Sequence, residues 1–399
     1  MNNTIKLAVA AALLAGASSA SAGIQIPAGD WTVDIGGNVN AYYTNTDTKV
    51  KVGGVTIANP KAQNTIGTGL LPSAFGIGAK TRQNDLDVAF QMTFFTGSSS
   101  GDNLAPTAVP GGVGGGAAGN NNLNIRQAYL TFGDASWGSI KLGRDLGIFG
   151  SDAILSDMTL LGVGTGGPAG GSSTLGRIGS GYIYADWKGQ VSYSSPNWNG
   201  FSFAAGVMEN FVPSPTLSGV TAQKKDMAFE GKVAYDWSGD MAGRVWASAI
   251  SQKTNDPLTP TNNYTSRGFD IGAKASVAGF GAVAYYYDGK GLDSQAVVAQ
   301  GLFNGNGEKS KDKGGYVQGT FTVPGVGTKL GASYGQSKSR SAVAGGFDIK
   351  NTSWIVGAYH PLTKHLNLVA EYTNQDVKDS VSTGKVSSDT MALGAILFF

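Results

Sequence analysis

Apolar and polar residues alternate along much of the chain, and charges in these segments fall opposite the apolar side chains. In residues 226–237 the odd positions carry Met227, Phe229, Val233, Tyr235 and Trp237, whereas four even positions carry charges. Because successive strand side chains point to opposite sides, this pattern predicts strands with one apolar and one polar face. The polar face would meet solvent in a soluble sandwich and would line the lumen in a membrane barrel.

Sixteen such segments can be counted, and the connections between them alternate between short and long. The segments begin near Trp31, Ala74, Leu86, Leu123, Ser139, Trp187, Phe201, Met227, Met241, Phe269, Gly281, Val317, Lys329, Thr352, Leu366 and Asp389. Bacterial outer-membrane barrels have an even number of strands, short periplasmic turns and long outer loops. We therefore predict an all-β fold, a transmembrane antiparallel β-barrel of sixteen strands that encloses an aqueous channel.

The N-terminus predicts a secretory signal peptide. Lys6 precedes an apolar run from Leu7 to Ala15, and Ala20-Ser-Ala22 forms a cleavage pattern before Gly23. The apolar run is too short to span a bilayer. We expect residues 1–22 to be removed and residues 23–399 to form one transmembrane barrel domain in the outer membrane.

Composition excludes several classes of function. The chain has no Cys and two His, and its 29 Lys and Arg residues nearly balance 27 Asp and Glu residues. Thiolate chemistry and disulfides are therefore excluded, and no nucleic-acid partner is implied. His360 and His365 bracket a turn without a carboxylate cluster, and the G-x-G-x-x-G match at 162–167 lacks a flanking nucleotide fold. We expect no metal and no cofactor.

Charged residues inside the strands should line the pore, because Arg or Lys at the lipid midplane costs roughly 2 to 4 kcal/mol. This assigns to the lumen Asp34, Arg126, Lys141, Lys188, Asp226, Glu230, Lys232, Arg244, Asp270, Lys274, Lys329 and Glu371. Lys274 and Lys329 could instead snorkel at strand ends. Outward aromatics near strand ends should form interfacial girdles; they are Trp31, Tyr43, Trp237, Trp354 and Tyr372.

The C-terminal strand suits a barrel that closes on itself. Met391, Leu393, Ala395, Leu397 and Phe399 share one face, and their neighbours are mostly small or polar. An open sheet edge in lipid would leave backbone groups unsatisfied, so the last strand should pair with the strand at Trp31.

Five further features occur together in one order along the chain: they are Arg126-Gln-Ala-Tyr-Leu, residues 138–147 with Gly143-Arg144, residues 191–201, residues 356–364 and the terminal Phe399. In these features the chain resembles the Gram-negative porins, the sixteen-stranded trimeric general-diffusion kind. The resemblance covers essentially the whole mature chain. It implies a homotrimer in outer-membrane lipid that passes ions and small hydrophilic solutes, with Phe399 read by the barrel-assembly machinery.

The same resemblance implies a constriction, because the third long loop of that family folds into the barrel. Here that loop follows Arg144, and residues 151–162 look like its short helix, with Ser151 to cap it and Gly162 to end it. Asp157 matches the family's loop acid and Arg126 a wall arginine. The expected constriction residues are Asp157, Asp152, Arg126, Lys141, Arg144, Arg177 and Lys188, with Asp34, Glu230, Lys232 and Arg244 lining the lumen.

Asp152 and Asp157 cannot both face the pore directly, because positions five residues apart on a helix are separated by about 140° around its axis. Our hypothesis is that one lines the pore and the other ties the loop to the wall, with Asp157 lumenal on the family match. Leu161 stands where the family has a second acid, and Ser73 and Asp186 stand where it has arginines. The charge balance, and hence the ion preference, stays open.

Three other functions compete with a diffusion channel. A substrate-specific channel could use aromatics such as Tyr42 and Tyr316 as a slide. An outer-membrane hydrolase needs a base beside its nucleophile, but both histidines lie at a periplasmic turn, so we expect no enzyme. A structural barrel or adhesin would conduct no ions.

Overall fold

The computed structural model describes residues 23–98, 123–166, 173–210, 226–255, 263–295, 308–342 and 346–399. The expected signal peptide lies outside these ranges. The strands are β1 Ile24–Ala28, β2 Trp31–Val52, β3 Val55–Ala58, β4 Gln63–Gly67, β5 Ser73–Gln83, β6 Leu86–Thr96, β7 Asn124–Asp134, β8 Gly138–Leu146, β9 Trp187–Ser194, β10 Phe201–Met208, β11 Ala228–Trp237, β12 Met241–Thr254, β13 Tyr264–Val277, β14 Phe280–Lys290, β15 Lys311–Thr322, β16 Lys329–Arg340, β17 Asp348–Pro361, β18 Leu366–Asp379 and β19 Gly384–Phe398. Between β8 and β9 lie one helix, α1 Ser151–Leu155, and a 3-10 turn, Met158–Leu161.

Sixteen strands, β2 and β5–β19, form a closed antiparallel ring in chain order, which confirms the predicted barrel. The ring closes where β19 pairs with β2, from Gly384 opposite Val52 to Phe398 opposite Asn38. The short strands β1, β3 and β4 add to β2. Closure pairs every edge, as lipid requires.

Phe399 continues this pairing beyond the last strand. Gly37 N donates to Phe399 O at 2.9 Å, and Phe399 N donates to Gly37 O at 3.1 Å. A Cβ at residue 37 would lie 2.1 Å from Ala74 O and 2.9 Å from the Phe399 ring. Glycine is therefore needed where the ring closes.

The outer face carries exposed apolar side chains, as the alternation predicts. Tyr43 and Trp354 are 45% and 42% exposed, and the Trp354 and Tyr372 ring centroids lie 5.1 Å apart. Among the described residues no helix is long and apolar enough to cross a membrane.

At the ends that short turns connect, the strands begin at or next to the predicted residues. At the ends that long loops connect, several strands extend further than predicted. β13 begins at Tyr264, β15 at Lys311 and β19 at Gly384, up to six residues before the predicted starts. Beyond the apolar belt both faces are polar, so the ladder continues where alternation no longer signals it.

Candidate functional site: an inward segment and the lumen wall

Residues 147–166 and 173–186, here called the inward segment, contact strands on opposite sides of the ring. Asp152 forms an ion pair with Arg244 of β12, and Leu161 O accepts a hydrogen bond from the Tyr42 hydroxyl of β2 at 2.6 Å. β2 and β12 are eight strands apart in the ring of sixteen. The segment therefore crosses the lumen.

An apolar core joins the segment to the wall. Phe149, Leu160 and Tyr182 of the segment pack in one buried cluster with Trp246 and Tyr316, which point inward from β12 and β15. The Tyr316 hydroxyl also donates to Ala153 O at 2.8 Å. Burial of this apolar surface holds the segment against the wall strands that it contacts.

Two wall carboxylates hold the start of the segment. Glu230 Oε2 accepts from Phe149 N at 2.8 Å, and its Oε1 lies 2.5 Å from Lys188 Nζ. Asp270 Oδ2 accepts from Gly150 N at 3.0 Å. Anions at these amides satisfy the free N–H groups that precede helix α1.

Asp152 ties helix α1 to the wall. Its Oδ2 lies 2.5 Å from Lys232 Nζ, and its Oδ1 lies 3.0 Å from Arg244 Nε. Burial by itself would raise the pKa of Asp152, but the two cations outweigh it and lower the pKa from its ordinary value. Asp152 thus has the wall-tying role that our hypothesis gave to one of the two acids.

The middle of the segment, at Val163 and Gly164, is held on the opposite side of the lumen by Glu371 of β18. Glu371 Oε2 accepts from Val163 N and Gly164 N, each at 2.8 Å, and Oε1 accepts from the Tyr359 hydroxyl at 2.6 Å. A Cβ at Gly162 would lie 2.1 Å from Glu371 Oε1. Glycine at this position lets the backbone reach the carboxylate.

Asp157 does not face the lumen as expected, since it is only 4% exposed. Its carboxylate accepts from the Tyr182 hydroxyl at 2.8 Å and from Thr159 N at 3.0 Å, both within the segment. The expected single helix is also corrected: α1 ends at Leu155, and Asp157 caps a separate 3-10 turn. An aspartate that bonds a backbone N–H two residues on competes with helix continuation. Ser151 is not the N-cap, which is Gly150.

Arg177 is fully buried and joins the second half of the segment to the wall. Its Nε donates to Ser333 Oγ at 2.5 Å and its Nη1 to Ser353 Oγ at 3.0 Å. It therefore does not line the open passage, although it was an expected constriction residue.

Arg126 lies at a β-bulge, where the register between β6 and β7 shifts. It is buried, and its guanidinium lies 5.0 Å from the centroid of the Phe95 ring. The next residue, Gln127, faces the lumen and donates to Asp145 at 3.0 Å. A bulge re-aims side chains in this way.

Lys141 and Arg144 lie three residues apart on β8. Lys141 faces the lumen, contacts Asp145 and lies over the Tyr129 ring at 4.6 Å. Arg144 is half-buried, and its Nε atom is fully buried. Gly143, with a φ of +123°, interrupts the regular alternation of side chains just before Arg144, so the ladder alone does not assign Arg144 to a face and it stays an expected constriction residue.

The accessible charges of the lumen are mostly positive. Among the described wall residues, the half-buried charges of the inner face are Lys80, Lys141, Lys232, Arg244, Lys274 and Lys329 against Asp34 and Asp236. All lie within five residues of the short-turn ends of their strands, a region that we call the periplasmic vestibule. At its rim Arg82 forms ion pairs with both Asp87 and Asp134, a group with one net negative charge.

Sequence reasoning missed the tyrosines that bind the segment. Tyr42 and Tyr316 were considered as a solute slide, but both are buried with their hydroxyls on segment carbonyls. Large aromatic side chains on the otherwise polar inner faces of strands are the signal that could have indicated a chain segment packed inside the barrel. Among the described residues, no three His, Asp or Glu side chains are grouped so as to hold a metal ion.

A closed barrel of sixteen antiparallel strands, apolar outside and polar inside, is the fold of an outer-membrane channel. A family model described as Gram-negative porin matches residues 8–380, and the chain belongs to this family. No curated protein matches the chain in sequence. Family and fold together make it an outer-membrane diffusion channel.

Similar solved structures share the fold at low sequence identity. The outer-membrane channel DcaP of Acinetobacter baumannii is 17% identical with a TM-score of 0.68, covering 95% of this chain and 100% of its own. The anion-selective porin from Comamonas acidovorans is 17% identical with a TM-score of 0.58, covering 92% and 100%. OmpF of Salmonella typhi is 17% identical with a TM-score of 0.59, covering 94% and 100%.

Proposed function

We propose that the protein is a passive, water-filled channel, narrowed by the inward segment, that favours small anions over cations. The observation that carries the proposal is the excess of accessible cations in the periplasmic vestibule. A cavity lined by one sign of charge concentrates the opposite ion.

The vestibule cations differ in how far they are neutralised. Lys232 and Arg244 share Asp152, and Arg244 also lies 2.9 Å from Asp236. Lys80, Lys274 and Lys329 form no ion pair with any residue that the structure describes. These three lysines supply the net positive field that a permeating anion meets.

The constriction follows from the anchoring of the segment. The segment is held at Glu230 and Asp152 on one side and at Tyr42 and Glu371 on the other. Because the backbone of the segment is fixed on both sides of the lumen, the passage beside it has a fixed width. Solutes are therefore selected by size. No catalytic step is needed for such transport, and we propose no enzymatic activity.

We propose that the protein works as a homotrimer in outer-membrane lipid. The in-vitro folded OmpT of Vibrio cholerae, which is similar in fold with a TM-score of 0.54 and 17% identity, is described in a trimer form. Small outward residues such as Ala282 and Ala284 allow close packing against another surface. We also propose that a leader at residues 1–22 directs export and that Phe399 is read by the barrel-assembly machinery.

Liposome swelling tests passive diffusion directly. Purified protein in liposomes is challenged with neutral sugars of increasing size and with small organic anions at rising concentration. Rates that fall steadily with solute size and rise linearly with concentration support a diffusion channel. Saturation with one solute would instead support the substrate-specific alternative, and no swelling at all would support a structural barrel.

A further inference from the structure

The surface that the inward segment presents to the lumen is nearly free of charge. In its described ranges the half-buried side chains are Ile154, Leu155, Ser156, Thr174, Tyr184 and Asp186, and all other described side chains of the segment are buried. Asp186 is the one charged residue among them. It lies at the end of the segment, where its Oδ1 accepts from Trp187 N of β9 at 2.8 Å.

The polar atoms of this surface are largely withdrawn from solutes. The Oγ atom of Ser156 is itself buried, and Thr174 Oγ1 donates to Val163 O at 2.6 Å. Ile154 and Leu155, the last two residues of α1, have no polar side-chain atom. We call these two residues the apolar patch. A solute that touches the segment at this patch meets hydrocarbon.

Contacts with the wall on both sides of the patch fix its position. The Tyr316 hydroxyl donates to Ala153 O at 2.8 Å, and Gln318 Nε2 donates to Ser156 O at 3.1 Å. Gln318 Oε1 also accepts from Met158 N at 2.7 Å. The residues directly before and after the patch are therefore bonded to β15, and the patch stays accessible from the lumen.

The acids near the patch do not reach the lumen surface. Asp152 is paired with Lys232 and Arg244, and Asp157 is bonded within the segment. Both are buried, as are the wall carboxylates Asp145, Glu230, Asp270 and Glu371. The segment therefore presents hydrocarbon to the passage where carboxylates would otherwise repel an anion.

A cation of the wall adjoins the patch. Arg244, which holds Asp152, lies directly opposite Lys274 in the ladder of β12 and β13. Lys274 is half-buried and forms no ion pair with a residue that the structure describes. Leu155 lies about 5 Å along the helix from Asp152, at 1.5 Å per residue. A charged group and a hydrocarbon surface thus lie side by side along the lumen.

We propose that the passage prefers monocarboxylates with a hydrocarbon chain over hydroxylated monocarboxylates of the same chain length. The inference rests on the proposed function, because it names the class of anion that the channel passes best. The lysine field attracts the carboxylate, and the chain leaves water against the patch. A hydroxylated chain meets no hydrogen-bonding partner at the patch and gives up its bonds to water there.

Bi-ionic reversal potentials test the preference. Purified protein in a planar bilayer separates potassium chloride from potassium pentanoate, and in a second series from potassium arabinonate, a hydroxylated acid of the same chain length. The pH is kept well above the carboxyl pKa of about 4, so both acids are ionised. Each reversal potential gives the permeability of one carboxylate relative to chloride.

Three variants are compared with wild type. Leu155→Gln replaces hydrocarbon of the patch by an amide of similar size, and Leu155→Met keeps the hydrocarbon. Leu362→Gln makes the same change on the turn between β17 and β18, where Leu362 is 53% exposed. A single-channel conductance in KCl close to that of wild type shows that a variant has folded with an open passage.

Wild type should pass pentanoate at least about threefold better than arabinonate, and Leu155→Gln should lower that ratio at least about twofold. Both solutes cross the same passage, so a difference in their size cannot explain a change of the ratio. Leu155→Met and Leu362→Gln should keep the wild-type ratio. If Leu155→Gln does not fold, Leu155→Thr is measured, and a smaller decrease is expected.

Two results would overturn the inference and leave the proposed function intact. They are an unchanged ratio in the folded Leu155 variant and an equal loss in Leu362→Gln. The proposed function has a separate readout in the same bilayers, the reversal potential in a KCl gradient. A wild type that prefers potassium there would overturn anion selectivity, and the inference with it.

Discussion

The carboxylate of Asp152 on the inward segment lies 3.0 Å from the guanidinium Nε of Arg244 on the barrel wall. On the opposite side of the ring the Tyr42 hydroxyl holds Leu161 O. A loop fixed at two opposite points has little freedom to open or close. We therefore expect specific contacts between the loop and the wall to set the width of the passage.

Asp152→Asn should loosen one end of the segment. The change leaves Lys232 and Arg244 without their shared counter-charge, at a cost of about 1 to 3 kcal/mol in the free energy of unfolding. Single-channel records should show larger and noisier open currents, and urea unfolding in lipid should give the free energy. Asp34→Asn, a half-buried lumen acid away from the segment, is the control. Equal current noise in the two variants would contradict a role of Asp152 in holding the segment to the wall.

Acid should reproduce this effect in the wild type. The pKa of Asp152 is below its ordinary value because the cations outweigh burial. A lowered folded-state pKa gives stability above the unfolded pKa of about 3.9, and that stability is lost as the pH falls through the folded value. Wild-type channels should stay quiet down to about pH 4 and become noisy below it. Asp152→Asn should lack this transition.

Asp157→Asn should leave ion selectivity close to wild type, because the carboxylate is buried and bonded within the segment. Lys274→Gln, which removes an accessible vestibule charge, should shift the reversal potential toward cations. The two variants are compared in the same salt gradient. A larger shift for Asp157→Asn than for Lys274→Gln would mean that the loop acid governs selectivity.

Gly37→Ala should impair closure of the barrel. The new methyl group would meet Ala74 O and the Phe399 ring, and overpacking of this kind costs about 1 to 3 kcal/mol. The folded fraction can be read from heat-dependent mobility on gels. Gly319→Ala is a matched control, since nothing lies within 4 Å of a Cβ there. Equal folded fractions would show that closure tolerates the methyl group.

The wall could be predicted from sequence because each strand carries its own two-faced signal. Trp31, Leu86, Trp187, Phe201 and Lys329 are all predicted starts at which a strand begins in the structure. Alternation depends only on which side of each strand faces lipid. A shift of register by one residue would turn the polar side chains toward lipid, at a cost in free energy. Where lipid ends, as at Tyr264–Gly268, the signal ends although the strand continues.

The inward segment was less predictable because its conformation depends on distant partners. Asp157 lies in a sequence pattern that predicts a helix, but the hydroxyl of Tyr182, twenty-five positions later, donates a hydrogen bond to its carboxylate. Glu371 and Asp270 bind segment amides more than a hundred positions away in sequence. Local sequence cannot indicate such pairs, so the face taken by each loop acid required the structure.

The reversal potential of the purified wild-type protein in a KCl gradient across a planar bilayer tests the proposed function most directly. The excess of vestibule cations predicts the sign of a chloride-preferring channel. The triple variant Lys80→Gln, Lys274→Gln, Lys329→Gln should move the potential toward potassium without a loss of conductance. A potassium-preferring wild type, or a triple variant with an unchanged potential, would contradict an anion channel governed by the periplasmic vestibule.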